Sequence, residues 1–102
     1  GHLVDGRASM LVGTHTHVPT ADHRILPGGT AFQTDAGMCG DYDSVIGMNK
    51  EAATDRFTGR SNSRLSVALG AVTICGLLVE ADDTGVAQTV RPLRRGGELA
   101  PA

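Results

Sequence analysis

Ser9-Met10-Leu11-Val12-Gly13-Thr14-His15-Thr16-His17-Val18-Pro19-Thr20 is the stretch on which the reading of this chain turns. A short apolar run stops at Gly13, the pattern of a buried strand that ends in a loop. Downstream, Ile25-Leu26 and Thr30-Ala31-Phe32-Gln33-Thr34 flank Pro27-Gly28-Gly29. Two extended runs around such a turn predict a β-hairpin. Upstream, His2-Leu3-Val4 reads as the end of a helix closed at Asp5-Gly6, because Gly tolerates the left-handed cap conformation.

Beyond the hairpin, Asp35 to Asp43 is a Gly-rich loop, and Ser44 is placed to cap a short helical turn over Val45-Ile46-Gly47-Met48. Lys50 to Thr58 lacks Pro and Gly and predicts a helix ending near Gly59. Residues 60–63 read as a polar connection. Leu65, Val67 and Leu69 alternate with Ser66 and Ala68, the period of a half-buried strand. Val72 to Glu80 is a more continuous apolar strand. Asp82-Asp83-Thr84-Gly85 signals a turn, Val86 to Val90 returns as the second arm, and the tail from Arg91 reads as frayed. The expected class is mixed α/β (α+β), β-rich with hairpins and one or two short helices.

Composition narrows the function classes. At 102 residues the chain is one domain or part of one. Its 40% apolar and 20% charged residues exclude a disordered or collagen-like chain. A net charge of −2 argues against a broad nucleic-acid-binding surface. No apolar run approaches the ~18 residues of a membrane span. No export leader is visible, so a cytoplasmic location is expected. The chain opens Gly1-His2-Leu3-Val4 and its first Met is Met10, which leads us to expect upstream sequence. Cys39 and Cys75 form no CxxC. Cys75 lies in an apolar run as a small buried hydrophobe, whereas Cys39 sits in the Gly-rich loop and is expected to be accessible.

The sharpest chemical signal is Gly13-Thr14-His15-Thr16-His17. In extended backbone, side chains at i and i+2 project to the same side. A strand end running into a loop gives ligands a fixed base and a free reach. Imidazole suits Zn, Fe, Mn, Co and Ni. Two histidines do not complete a site, since a catalytic zinc takes about three protein ligands and a two-metal centre more. Asp22, Asp35, Asp41 and Asp43 are available to complete one, though their spacing demands none of them, and His2 and His23 lack any such context. The alternative is a small β-rich interaction module, or a decayed remnant, whose histidines are structural. Gly28-Gly29 and Gly37 to Gly40 match neither a P-loop nor GxGxxG and read as turns. No GxSxG elbow is present.

Val12-Gly13-Thr14-His15-Thr16-His17-Val18-Pro19-Thr20-Ala21-Asp22 closely resembles the carboxy-terminal histidine motif of bacterial calcineurin-like metallophosphoesterases, and within them the YmdB-like family. The resemblance continues through Ile25-Leu26-Pro27-Gly28-Gly29-Thr30-Ala31, Thr34-Asp35, Gly37-Met38 and Tyr42-Asp43-Ser44-Val45-Ile46-Gly47-Met48. Cys39 and Asp41 stand where the family more often carries Thr and Pro. The resemblance implies a β-sandwich flanked by helices, of which residues 1–102 would be the carboxy-terminal part of a single domain. It implies a dinuclear centre of divalent or transition metal ions (Fe, Mn or Zn) that hydrolyses phosphodiesters, with 2′,3′-cyclic nucleotides as the substrate class. His15 would bind one metal and His17 the other. The family's Asp, Glu and Asn ligands and its Asn-His catalytic motif lie earlier in its chain and have no counterpart here, so the isolated chain is expected to be inactive. Strand edges and apolar surface left by a divided sandwich make a homo-oligomer possible.

Overall fold

The chain builds two small sheets joined by a loop-rich middle, and the computed structural model describes residues 1–62 and 64–102. In the first sheet, β1 (Met10–Val12) runs parallel to β3 (Ala31–Gln33), with Met10 opposite Ala31 and Val12 opposite Gln33. On the other side of β3, β2 (Arg24–Ile25) pairs antiparallel. The expected hairpin is therefore present. Its turn closes through Gly29 N–H to the Leu26 carbonyl at 2.9 Å. The Asp5 carboxylate braces it by accepting the N–H groups of Gly28 and Thr30. As the central strand, β3 buries Ala31 and Gln33. β1 forms where expected but is not buried: Met10 and Leu11 are exposed, because the strand lies at the sheet edge. Instead of a helix end, residues 1–7 make tight turns, from Val4 N–H to the Gly1 carbonyl and from Arg7 N–H to the Val4 carbonyl.

The second sheet orders β4 (Gly40–Asp41), β5 (Val72–Ala81) and β6 (Ala87–Arg95), all antiparallel. The β5–β6 ribbon is in register from Ile74 opposite Arg95 to Glu80 opposite Thr89, and a shift of one residue then sets Ala81 opposite Ala87. Its turn is folded around the Asp82 carboxylate, which accepts from the Thr84 N–H and hydroxyl and the Val86 N–H. The tail from Arg91 is not frayed. Residues 91–95 are paired strand, and Arg94 exchanges backbone hydrogen bonds with Ala102. Pro92, which donates no N–H, is tolerated because β6 is an edge strand.

Between the sheets, α1 (Lys50–Phe57) forms as expected, with the Asn49 side chain accepting the Ala52 N–H at 3.1 Å as N-cap. The turn over residues 45–48 is not helical. Val45 and Met48 exchange reciprocal backbone hydrogen bonds, and Ile46 and Gly47 both have positive φ (47° and 91°), as in a type I′ turn. Ser44 does hold this turn, its hydroxyl accepting the Gly47 N–H. The strand expected over Leu65, Val67 and Leu69 is absent. Only Val67 bridges, to Met48, and all three side chains are exposed, so the alternation has no sheet to face. Of the polar connection at 60–63, Ser63 lies outside the described residues.

The buried apolar side chains among the described residues are Leu26, Ala31, Cys75 and Ala87, accompanied by buried Thr30, Gln33, Asp35, Asp41 and Thr73. Both cysteines are free, Cys75 buried and Cys39 exposed, as expected. The chain measures 54 × 28 × 17 Å with a radius of gyration of 16.9 Å. A compact chain of this length has a radius of roughly 13 Å. Two mixed or antiparallel sheets and one short helix among the described residues fit the expected mixed, β-rich class.

Candidate metal site

The histidine loop leaves β1 at Gly13, where no other residue fits. A Cβ there would lie 2.3 Å from the Thr34 carbonyl oxygen. Gly13 N–H donates to the Gln33 carbonyl, and its own carbonyl accepts from Ala36 N–H, so the loop base is stitched across β3. The far end returns to the same strand. Thr20 N–H donates to the Asp35 carbonyl, and the Gln33 side-chain amide donates to the carbonyls of Thr20 and Asp35. The Asp22 carboxylate accepts from the Thr20 hydroxyl and from the hydroxyl and N–H of Thr34. These donors, the Thr20 and Thr34 hydroxyls foremost, pull its pKa down to about 2.

Inside the loop lies the Asp35 carboxylate, 2% exposed. One oxygen accepts the N–H of His15 (2.8 Å), the N–H of Thr16 (2.6 Å) and the hydroxyl of Thr16 (2.8 Å), and the other accepts the N–H of Gly37 (2.8 Å). Those donors, led by Gly37 and His15, hold the carboxyl well below the usual carboxylate range.

His17 has φ of 69°, uncommon for a residue with a Cβ. Its Nδ1 lies 2.7 Å from the carbonyl oxygen of Ile46, itself at φ 47°. A carbonyl only accepts, so Nδ1 carries a proton, and in the neutral ring Nε2 then keeps its lone pair. A backbone carbonyl on one ring nitrogen is the usual outer partner of a metal-ligating histidine, fixing tautomer and ring orientation. Left-handed residues with side chains cost about 1–3 kcal/mol each and concentrate at functional sites. Here two of them meet across one hydrogen bond. Both imidazoles line a cleft of about 280 Å³ together with Thr14, Asp35, Gly37 and Met38.

The structure thus brings His15, His17 and Asp35 to one cleft and separates the other candidates from it. Asp41 is buried and accepts from Asp43 N–H and Gly70 N–H. Asp43 pairs with Lys50 at 2.8 Å. Asp22 fastens Thr20 to Thr34. His2 and His23 are exposed and line no part of the cleft. Among the described residues no cluster of three His, Cys, Asp or Glu side chains is set to hold a metal ion. Two histidines lining one cleft fit a metal site only as part of its ligand set. Sequence reasoning missed the Ile46 carbonyl, since a backbone group presented by a turn 29 residues away leaves no side-chain signature.

A family profile described as YmdB-like protein matches residues 1–93. Over 83 residues the chain is 52% identical to the 2′,3′-cyclic-nucleotide 2′-phosphodiesterase of Bacillus subtilis (strain 168), covering 81% of this chain and 31% of that protein. Among solved structures it is similar to a hypothetical protein from Thermus thermophilus, with a TM-score of 0.85 and 37% identity over 95% of this chain and 38% of the other. It is equally similar to a novel phosphatase from Mycoplasma pneumoniae, with a TM-score of 0.85 and 37% identity over 93% of this chain and 34% of the other. The chain spans about a third of the length of these relatives.

Proposed function

This chain belongs to the YmdB-like protein family, and on that premise we propose that it forms the His15/His17 side of a dinuclear metal centre in a phosphodiester hydrolase. The substrate class is the 2′,3′-cyclic nucleotides, the chemistry named for the Bacillus subtilis relative. The observation that carries the reading is the His17 ring, clamped through Nδ1 by the Ile46 carbonyl with Nε2 free, in one cleft with His15. His15 and His17 would hold the two ions. When bound, such ions neutralise phosphate oxygens and acidify a water. The two side chains anchor rather than move protons, and each ligates as neutral imidazole, so metal affinity falls in acid.

Two ligands do not complete a dinuclear centre, and the remaining ligands and the proton donor are assigned to the part of the relatives' length that this chain does not span. The 102-residue chain therefore binds Mn²⁺ weakly and turns over no cyclic nucleotide. Robust hydrolysis by the chain alone, lost in His15→Ala, would sink the shared-site reading. The decisive test grafts this chain in place of the matching 83-residue segment of the Bacillus subtilis phosphodiesterase. The graft should hydrolyse 2′,3′-cyclic nucleotides. His15→Ala and His17→Ala should each lower kcat/KM by more than the ~100-fold typical of losing an outer partner of a metal ligand. Unchanged kinetics in both variants would refute the assignment.

A further inference from the structure

We propose that Asp35 is the positioning residue of the histidine pair, an inference that rests on the reading of His15 and His17 as metal ligands. Its carboxylate collects the backbone N–H of His15 itself, both donors of the intervening Thr16, and the N–H of Gly37 two residues further along its own chain. The residue is almost fully buried, and among the described residues no basic side chain pairs with it. A buried carboxylate is costly unless its charge is met by well-placed donors, and here the polar groups of the ligand loop meet it. Loop and carboxylate thus require one another. The two amides leading into Thr16 and its hydroxyl are held, and with them the backbone from which the two imidazoles project.

The carboxylate is directed mainly at this loop: three donors converge on one oxygen and the Gly37 N–H meets the other. A neutral turn residue would hold a loop; a carboxylate bearing four donors holds it in one geometry.

The test uses Mn²⁺ titration of the chain, read as paramagnetic broadening of the His15 and His17 ring signals by NMR. The backbone amides of Val79 and Val90 in the β5–β6 ribbon report whether the fold is intact. In the unmodified chain both rings should broaden with one midpoint. In Asp35→Ala the midpoint should rise tenfold or more and the two rings should cease to titrate together, with the ribbon amides unmoved. Thr16→Val removes the hydroxyl donor to Asp35, together with that hydroxyl's longer contacts to the Val18 backbone, at an exposed position where folding is not at stake, and should raise the midpoint about threefold. A merely structural carboxylate would change the melting temperature and leave the midpoint alone. An unchanged midpoint in folded Asp35→Ala, or in Thr16→Val, overturns the proposal while the ligand reading stands; loss of affinity in Asp35→Ala with none in Thr16→Val makes Asp35 a ligand and also overturns it. If the unmodified chain broadens neither ring, the ligand reading fails and takes the proposal with it.

Discussion

One methyl group at residue 13 would separate β1 from β3. The Thr34 carbonyl lies 2.3 Å from where that group would sit, and it belongs to backbone that the Asp22 carboxylate fixes through the Thr34 N–H. Gly13→Ala should therefore destabilise the chain by about 1–3 kcal/mol, the usual cost of forced overpacking, measurable as a lowered urea midpoint. An unchanged midpoint would show that the strand end can yield. Much of this neighbourhood is legible from residue types alone. The His-x-His spacing, its place after a strand, and the Gly at the exit all stand in the sequence. The aspartates are legible only as candidates. Whether Asp35 binds a cation or the histidine loop depends on amides brought from residues 15 and 16, some 20 positions away, and nothing in local spacing reports where those N–H groups point.

Individual elements show which local signals survive without tertiary support. α1 carries its own: an N-cap, Glu51 in the first turn, Arg56 in the last. None of its residues is buried, and Phe57 is 94% exposed. Asn49→Ala should thus cost about 1 kcal/mol locally, speeding amide exchange within the helix and leaving the melting temperature of the sheets unchanged. A global shift in melting would contradict that isolation. The β5–β6 turn is likewise self-sufficient. Its Asp82 carboxyl is held below the usual range by the Thr84 hydroxyl and then the Val86 N–H. Folded-state depression stabilises the turn above the ordinary carboxylate range, and that contribution disappears as pH falls through the folded value. The Val86 amide should accordingly lose exchange protection in acid, and Asp82→Asn should remove that pH dependence. Both elements are readable from sequence because their determinants lie within a few residues. The Leu65-Val67-Leu69 alternation misleads because a period of two specifies a strand only when a neighbour offers an edge, and here Met48 offers a single bridge. The extent of β6 escapes local reading for the converse reason: five residues of polar, Pro-containing tail are strand because β5 is long enough to pair with them.

At the scale of the whole molecule, a small apolar core is supplemented by hydrogen-bonded carboxylates such as Asp22, which ties Thr20 to Thr34. Stability should therefore be acid-sensitive. Asp22, with its pKa depressed to about 2 from an ordinary 3.8, contributes stability that is complete above the ordinary value and is lost as pH falls from about 4 toward 2. Melting temperature should drop across that window, and Asp22→Asn should flatten part of the drop. A profile flat to pH 2 would mean that these hydrogen bonds do not hold the sheets. The register of the strands also sets an order of events. Ala81 meets Ala87 across a tight turn, whereas Met10 must find Ala31 with the whole histidine loop still open between them. Closing the wider loop costs more chain entropy before any contact repays it. In pulse-labelled refolding, amides of the long ribbon should acquire protection first and those of Leu11 and Gln33 last. The imidazole pair would then be the final piece to organise on the way from a nascent polypeptide, so a chain interrupted late would carry a matured ribbon beside a histidine loop that has yet to set.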